Sequence, residues 1–337
     1  MDNGRRRMVA WPAATLLAVA LLAVAGCRPA VPAKRQDARP LMGTMVTMTV
    51  EGPDASRLGP AMEAAYREMA RLSDMMSHYD PNSVVSSINA AAGLRPVAAP
   101  PELLQVLRMA RVVSVATGGA FDVTVGSLRG WRFGTESAPV PAAVETQAQR
   151  ALVDYRQVIL DDAAGTVFLA RAGMRLDLGG IAKLYILEAG MRTLRRHGID
   201  SAMINGGGDV LVAGTGRVEP WLVGVRDPRA PDRLLGVVAI RDGIVASSGD
   251  YERFFEHEGR RYHHILDPRT GLPAEGPHGV TLVADGLETL NGLGAAIMVL
   301  GADRGRELIG GTPDLEGLIV DRDGSVWMSP GFRQLLH

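Results

Sequence analysis

From residue 156 onward the chain is written in short apolar, β-branched runs: RQVIL, GTVFLA, MRLDL, SAMIN, DVLVAG, WLVGV, LLGVVAI, GIVASS, ERFFEHEGRRYHHIL and GVTLV. Runs of this length, bounded by glycine and polar turn residues, read as strands. A helical period interrupts them from about Ile181 to His197 and is closed by Gly198. Helical spacing returns around LNGLGAAIMVLG, and LEGLIVDRDGSVWMS reads as a hairpin turning at Asp323-Gly324. Before residue 156 the balance is reversed. After the strand LMGTMVTMTVE, helices are expected from Ser56 or Pro60 to about Ser77, from PPELLQ to Gly118-Gly119, and in VPAAVETQAQRALV. HYDPNS breaks the first of these, and YDPNSVVSSIN and GAFDVTVGSL read as loops. Strands that do not alternate with helices exclude a Rossmann arrangement. They predict an α+β fold with mixed or antiparallel sheets and flanking helices.

The first 26 residues have a different composition. NGRRRM is a positive leader and VAWPAATLLAVALLAVAG an apolar run ending at Cys27, the only cysteine. VAGC resembles a bacterial lipobox, which implies a signal peptide over 1–26 and a diacylglycerol on Cys27. An uncleaved transmembrane anchor is the alternative, since the run is long enough to span. Both place Arg5, Arg6 and Arg7 on the cytoplasmic side, so the remaining chain lies outside it, in the cell envelope. Residues 27–40, with RPAVPAKRQDARP, read as a Pro-rich tether, leaving 41–337 as one folded domain. A lipidated lone cysteine leaves no thiol for a disulfide, for catalysis or for a metal. The formal net charge of −1 offers no basic face for nucleic acid.

Of the 36 Lys and Arg residues only Lys34 and Lys183 are lysine, and Lys34 falls in the tether segment. Lys183 lies in DLGGIAKLY, where Asp177 ends a strand, two glycines turn the chain and a helix begins. Glycines there let a backbone approach a phosphate, and a helix start offers free N–H groups. An ammonium adds a compact charge with three donors. A plain strand-to-helix turn with a solvated lysine accounts for the same spacing. INGGGDVLV, with Asn205 and Asp209, is either a hairpin or a place of close ligand approach. In YHHILDPRTGLP neighbouring strand residues face opposite sides, so one of His263 and His264 can serve as a general base and the other is solvated.

The order of the motifs is more specific than any one of them. MGT at 42–44, MSHYDPNSVVSSIN at 76–89, FDVTVGSL at 121–128, DLGGIAK at 177–183, NGGGD at 205–209 and SSGDYERFFEHEGRRYHHILDPRTGLP at 247–273 occur in one series. The series resembles the bacterial FAD:protein FMN transferases of the ApbE type, over roughly residues 41–337. The resemblance implies an α+β fold that binds FAD with a divalent metal, Mg²⁺ being the usual candidate, at its pyrophosphate. It implies transfer of FMN to a Ser or Thr hydroxyl of an envelope acceptor protein, with release of AMP. Met42, Tyr79, Ala120, Phe121, Asp122, Asp177, Lys183, Ser248 and Ile265 match positions that line the FAD site. His264 matches the base that deprotonates the acceptor hydroxyl.

The chain departs from the family at the metal. The implied ligands are the Gly180 carbonyl and an aspartate and threonine four residues apart, but those positions hold Asn291 and Ala295. Asp285 and Thr289, six residues earlier, offer the same spacing on one helix face. Leu184 stands where the family commonly has glycine. Two rival functions follow from these departures: an envelope lipoprotein that binds FAD without turnover, and an FAD pyrophosphatase using water as the nucleophile.

Overall fold

An antiparallel sheet of eight strands organises the computed structural model, which describes residues 32–133, 139–214 and 219–337. Strand β1 (Ala33–Leu41) and β2 (Thr44–Gly52) form a hairpin, followed by α1 (Ala55–Met76), α2 (Val84–Ala90), β3 (Val97–Ala98) and α3 (Pro101–Ala116). Then come α4 (Ala143–Arg150), β4 (Val158–Asp161), β5 (Thr166–Leu169) and α5 (Ala182–Arg196). The hairpins β6 (Ser201–Gly206)–β7 (Asp209–Gly214) and β8 (Trp221–Asp227)–β9 (Ala230–Ile240) precede β10 (Gly243–Gly249). The hairpin β11 (Phe254–His257)–β12 (Arg260–His263) leads to β13 (Gly279–Ala284). Helices α6 (Leu287–Leu290), α7 (Leu293–Leu300) and α8 (Ala302–Gly311), the hairpin β14 (Glu316–Val320)–β15 (Val326–Met328) and α9 (Pro330–Leu335) complete the chain. The main sheet runs β1-β2-β6-β7-β10-β13-β14-β15. The predicted α+β architecture is therefore the observed one.

Alternation of side chains along these strands divides the core into two layers. On one face Met48, Ile204, Leu211 and Leu282 pack with Met69 of α1, Leu187 of α5 and Ile297 of α7. On the other, Val210, Val212 and Val245 pack under Val223 and Val238 of the β8–β9 hairpin and Phe332 of α9. Close packing is visible at Gly190, where an added Cβ would lie 2.7 Å from the Met69 sulfur, so α5 and α1 meet only because no side chain intervenes.

Three expectations are corrected. Residues 33–40, read as tether, are strand β1, paired with β2 from Ala33↔Gly52 to Leu41↔Thr44. Lys34 is thus in the fold, 3.8 Å from Glu51, and Lys183 is not its sole lysine. YDPNSVVSSIN is not all loop: Ser83 Oγ accepts the Ser86 N–H at 2.9 Å and caps α2. MRLDL forms no strand. The buried Asn89 of α2 clamps it instead, accepting the Leu176 N–H at 2.6 Å and donating to the Leu176 carbonyl at 3.1 Å. The leader, Cys27 and the start of the tether lie outside the described residues. Among those described, no helix is long and apolar enough to cross a membrane.

Candidate active site

The sheet brings the motifs to one of its ends. Met42-Gly43 turns β1 into β2, and Gly207-Gly208 turns β6 into β7 beside it, since Val46 pairs with Gly206. Both turns use left-handed backbone: φ is 54° at Met42 and 70° at Gly43, 66° at Gly207 and 95° at Gly208. This is the conformation that two-residue hairpins require. It is costly for methionine, so the position is held against local preference. Thr44 fills the space beside Gly207, whose added Cβ would lie 2.4 Å from the Thr44 Oγ1. NGGGD is therefore a hairpin turn, and its last residue also faces the site.

That residue explains Lys183. The Nζ of Lys183, in the first turn of α5, lies 2.7 Å from Asp209 Oδ2. Asp209 is buried, and its Oδ1 accepts the Ser247 N–H at 3.2 Å. One ammonium donor faces this carboxylate, and the compact head leaves others for a ligand. The next strand supplies Ser248, which abuts α7, an added Cβ at Gly294 lying 2.6 Å from its Oγ.

Upstream of α5, Asp177 Oδ1 accepts the Gly179 N–H at 2.8 Å and lies 3.3 Å from His78 Nδ1. Burial opposes ionisation of Asp177, but the hydrogen bond and charge of His78 outweigh it and hold the carboxyl below the usual range. The His78 ring in turn lies 3.9 Å from that of Tyr79, which is mostly exposed at the rim. Sequence reading did not single out His78; its place beside a turn-forming aspartate was not encoded in any local period.

Phe121 packs against Gly180 and Gly292, its ring carbon 3.1 Å from an added Cβ at Gly180 and 3.3 Å from one at Gly292. Ala120 and Ile265 share a small apolar cluster with Ala274. The Asp122 carboxylate points inward. It accepts the Thr124 N–H and hydroxyl at 2.8 and 2.6 Å and the Tyr155 N–H at 2.8 Å. Burial pushes its pKa up against these bonds. Asp122 thus shapes the loop that carries Phe121.

His264 follows β12, its N–H donating to the Arg253 carbonyl at 3.0 Å. Burial, with the nearby cations Arg253 and Lys183 acting in the same direction, takes its pKa down to about 3. The ring is therefore neutral at physiological pH, and its Nδ1 has no partner. Surroundings this apolar and cationic make it a weak base until negative charge is bound nearby. The expectation that the other histidine is solvated is overturned. His263 is buried, with Nε2 donating to the Ala274 carbonyl at 2.8 Å. The β12 strand ends at His263, so strict alternation does not extend to the pair.

At the metal position Asn291 is 2% exposed, and its Nδ2 donates to the Ile181 carbonyl at 2.9 Å. That bond fixes the amide's orientation and leaves Oδ1 a buried acceptor without a partner. Ala295 is close by, 4.0 Å from an added Cβ at Gly180. Asn291 Oδ1 is the orphaned oxygen that a hard divalent cation would use here, with the Gly180 carbonyl as the main-chain ligand the family resemblance implies. The cation's remaining donors are left to a ligand's phosphates and water. The alternative pair is corrected: Asp285 precedes α6, whose N-cap is Gly286, so Asp285 and Thr289 do not share a helix. Asp285 is exposed and lines a separate cleft with Glu188 and Arg192 of α5. Among the described residues no cluster of three His, Cys, Asp or Glu side chains is placed to hold a metal. Leu184 is buried in the main core.

The eight-stranded sheet, with its hairpin turns, the glycine-rich start of α5 and the Lys183–Asp209 pair gathered at one end, defines an α+β protein. The ApbE family model matches residues 42–319, and the chain belongs to the ApbE family. It is 33% identical over 297 residues to an FAD:protein FMN transferase of Klebsiella pneumoniae, covering 86% of this chain and 90% of that protein. A transferase of the same name from Treponema pallidum is 34% identical over 310 residues, covering 86% and 85%. The crystal structure of the ApbE protein from Thermotoga maritima superposes with a TM-score of 0.82 at 32% identity, over 90% of this chain and all of that one. The flavin transferase ApbE of Vibrio cholerae gives 0.78 at 28% identity, again over 90% of this chain.

Proposed function

We propose that the protein is an FAD:protein FMN transferase of the cell envelope, anchored through a lipid on Cys27. It binds FAD across the sheet end and moves the FMN moiety onto a Ser or Thr hydroxyl of an acceptor protein, releasing AMP. The observation that carries this reading is the Lys183–Asp209 pair at the glycine-rich start of α5, with the unpartnered Nδ1 of His264 on a ring near enough to feel the lysine's charge. An alcohol attacks a phosphorus centre only as its proton leaves. His264 would take that proton once the negative charge of bound FAD offsets the burial and the cations that hold its pKa down. Lys183 and the N–H groups at the start of α5 would face the negative charge that grows on the pyrophosphate oxygens. Asp177 would fix the adenosine end, with His78 holding it ionised. Bound Mg²⁺ would supply further neutralisation of phosphate charge, held by Asn291 Oδ1 and the Gly180 carbonyl.

The test incubates the full chain with FAD, Mg²⁺ and a flavin-acceptor domain, and reads the acceptor's intact mass with and without EDTA. A metal-dependent gain of one FMN is expected. Bound FAD with no mass gain favours the binding-protein reading, whose supporting observation is that an amide, Asn291, stands where the family resemblance implies a carboxylate. AMP released without any acceptor favours the pyrophosphatase. His264→Ala should lower transfer by about 10²–10⁴-fold, the range of a general base, while FAD still binds.

A further inference from the structure

Beside the catalytic end lies a second concavity, a cleft of about 790 Å³ between the β8–β9 turn, the β11–β12 hairpin and residues 273–278. It shares none of the FAD-site positions. Its walls carry the guanidinium groups of Arg229, Arg260, Arg261 and Arg322 against the carboxylates of Asp250 and Glu275. Arg260 meets Glu275 at 2.8 Å on the exposed rim, and Arg322 Nε donates to the Gly276 carbonyl at 3.0 Å. Arg229 is committed to Asp227 and the Gly324 carbonyl, and Arg261 faces Asp250 and Glu256, so the donors left to an incoming group are chiefly those of Arg260 and Arg322.

Its interior holds a polar group with an unmet need. Asp250 is 6% exposed, and its Oδ2 meets His278 Nδ1 at 2.7 Å. Its Oδ1 is buried without a hydrogen bond, the nearest cation, Arg261, standing 3.6 Å away. A buried carboxylate oxygen in that state calls for a hydroxyl or amide N–H from outside. Tyr251 and Phe254 add apolar surface on which a backbone could lie. The cleft is also tied to the base. Ala274 in its wall donates its N–H to the Ile265 carbonyl at 2.9 Å and accepts from His263 Nε2 at 2.8 Å, on either side of His264.

We propose that this cleft is the docking site of the acceptor protein, which enters it with an acidic segment next to the hydroxyl to be flavinylated. The inference rests on the transferase reading for the identity of the occupant. Carboxylates meet Arg260 and Arg322, and a main-chain N–H or hydroxyl satisfies Asp250. The segment is then held next to the wall that carries His264.

The experiment measures binding of a short fluorescent peptide, a threonine flanked by aspartates, to the full-length protein with FAD bound, alongside the same peptide with asparagines. The Arg260→Glu, Arg322→Glu double variant should weaken the aspartate peptide about 10-fold or more, and Glu275→Gln should tighten it. The asparagine peptide should respond to neither. The opposing signs separate docking from damage to the fold, and flavin fluorescence reports that FAD still binds. Equal binding of the two peptides, or indifference to Glu275→Gln, overturns the proposal. Loss of binding to anionic vesicles alone, with no change in peptide binding, would make the cleft a lipid contact and also overturn it. Peptide binding requires no chemistry. A protein that binds the aspartate peptide but adds FMN to no acceptor refutes the transferase reading and leaves the cleft standing.

Discussion

The rarity of lysine in this chain has a local reason at Lys183. Its ammonium sits 2.7 Å from a buried carboxylate while remaining partly open to ligand. Arginine carries the same charge on a broader, planar head, and Asp209 offers a site fitted to a point donor. Lys183→Arg should therefore weaken FAD binding in a flavin-fluorescence titration. Lys183→Ala should also lower stability by about 2–3 kcal/mol, less than the loss of a fully buried partner because water reaches the site. Thermal or denaturant unfolding checks this. His264 gives a pH signature. Its folded pKa of about 3 lies below the unfolded value near 6.5, so between these pH values the unfolded state binds the extra proton. Its contribution to stability is complete above that window and is lost as pH falls through it. The melting temperature should drop on acidification below pH ~6.5, and less steeply in His264→Gln. Asn291→Asp replaces a donor to the Ile181 carbonyl with a second acceptor. Without ligand it should cost about 1–3 kcal/mol, and Mg²⁺ with FAD should raise its melting temperature more than that of the parent chain.

Among the elements, the strands and helices with a strong period were legible before any coordinates: α1, α3, α5 and most hairpins fall where apolar spacing puts them. What escaped was structure made by single side chains acting over distance. Asn89 clamps Leu176 from 87 positions away, and no local pattern marks such a bond. Ser83 could have been read as a helix cap, but the Asp80-Pro81 turn just before it masked the signal. Of the site, the glycine turns, Lys183 and His264 were legible. The Lys183–Asp209 and His78–Asp177 pairs were not, because each joins segments that only the sheet and its flanking loops bring together. Gly126 shows how closely those segments meet. The Asp177 N–H donates to the Val123 carbonyl at 2.8 Å, and an added Cβ at Gly126 would lie 2.8 Å from the Leu176 carbonyl carbon and 2.9 Å from the Asp177 nitrogen. Gly126→Ala must push the Asp177 turn away. It should destabilise by about 1–3 kcal/mol and weaken FAD binding, as unfolding and titration would reveal.

At the scale of the molecule, the sheet begins with the segment that composition marks as a linker. Strand β1 covers the edge of β2 along its whole length and sends Leu41 toward the core. A chain started at residue 42 would leave β2 as an unpaired edge, so it should melt at lower temperature and aggregate more readily than one started at residue 28. Light scattering during a thermal ramp measures both.

Strand β1 also sets a distance. On the lipoprotein reading, the modified Cys27 and the first strand residue, Ala33, are separated only by residues 28–32. Even fully extended, that interval spans no more than about 20 Å, less than half the ~50 Å breadth expected of a compact chain this size. The domain would be kept against the bilayer, able to pivot but not to roam. Its encounters would then be confined to a thin layer of the envelope. Partners fixed in the same membrane would meet it at high effective concentration, while a freely diffusing protein of equal affinity would have no such advantage.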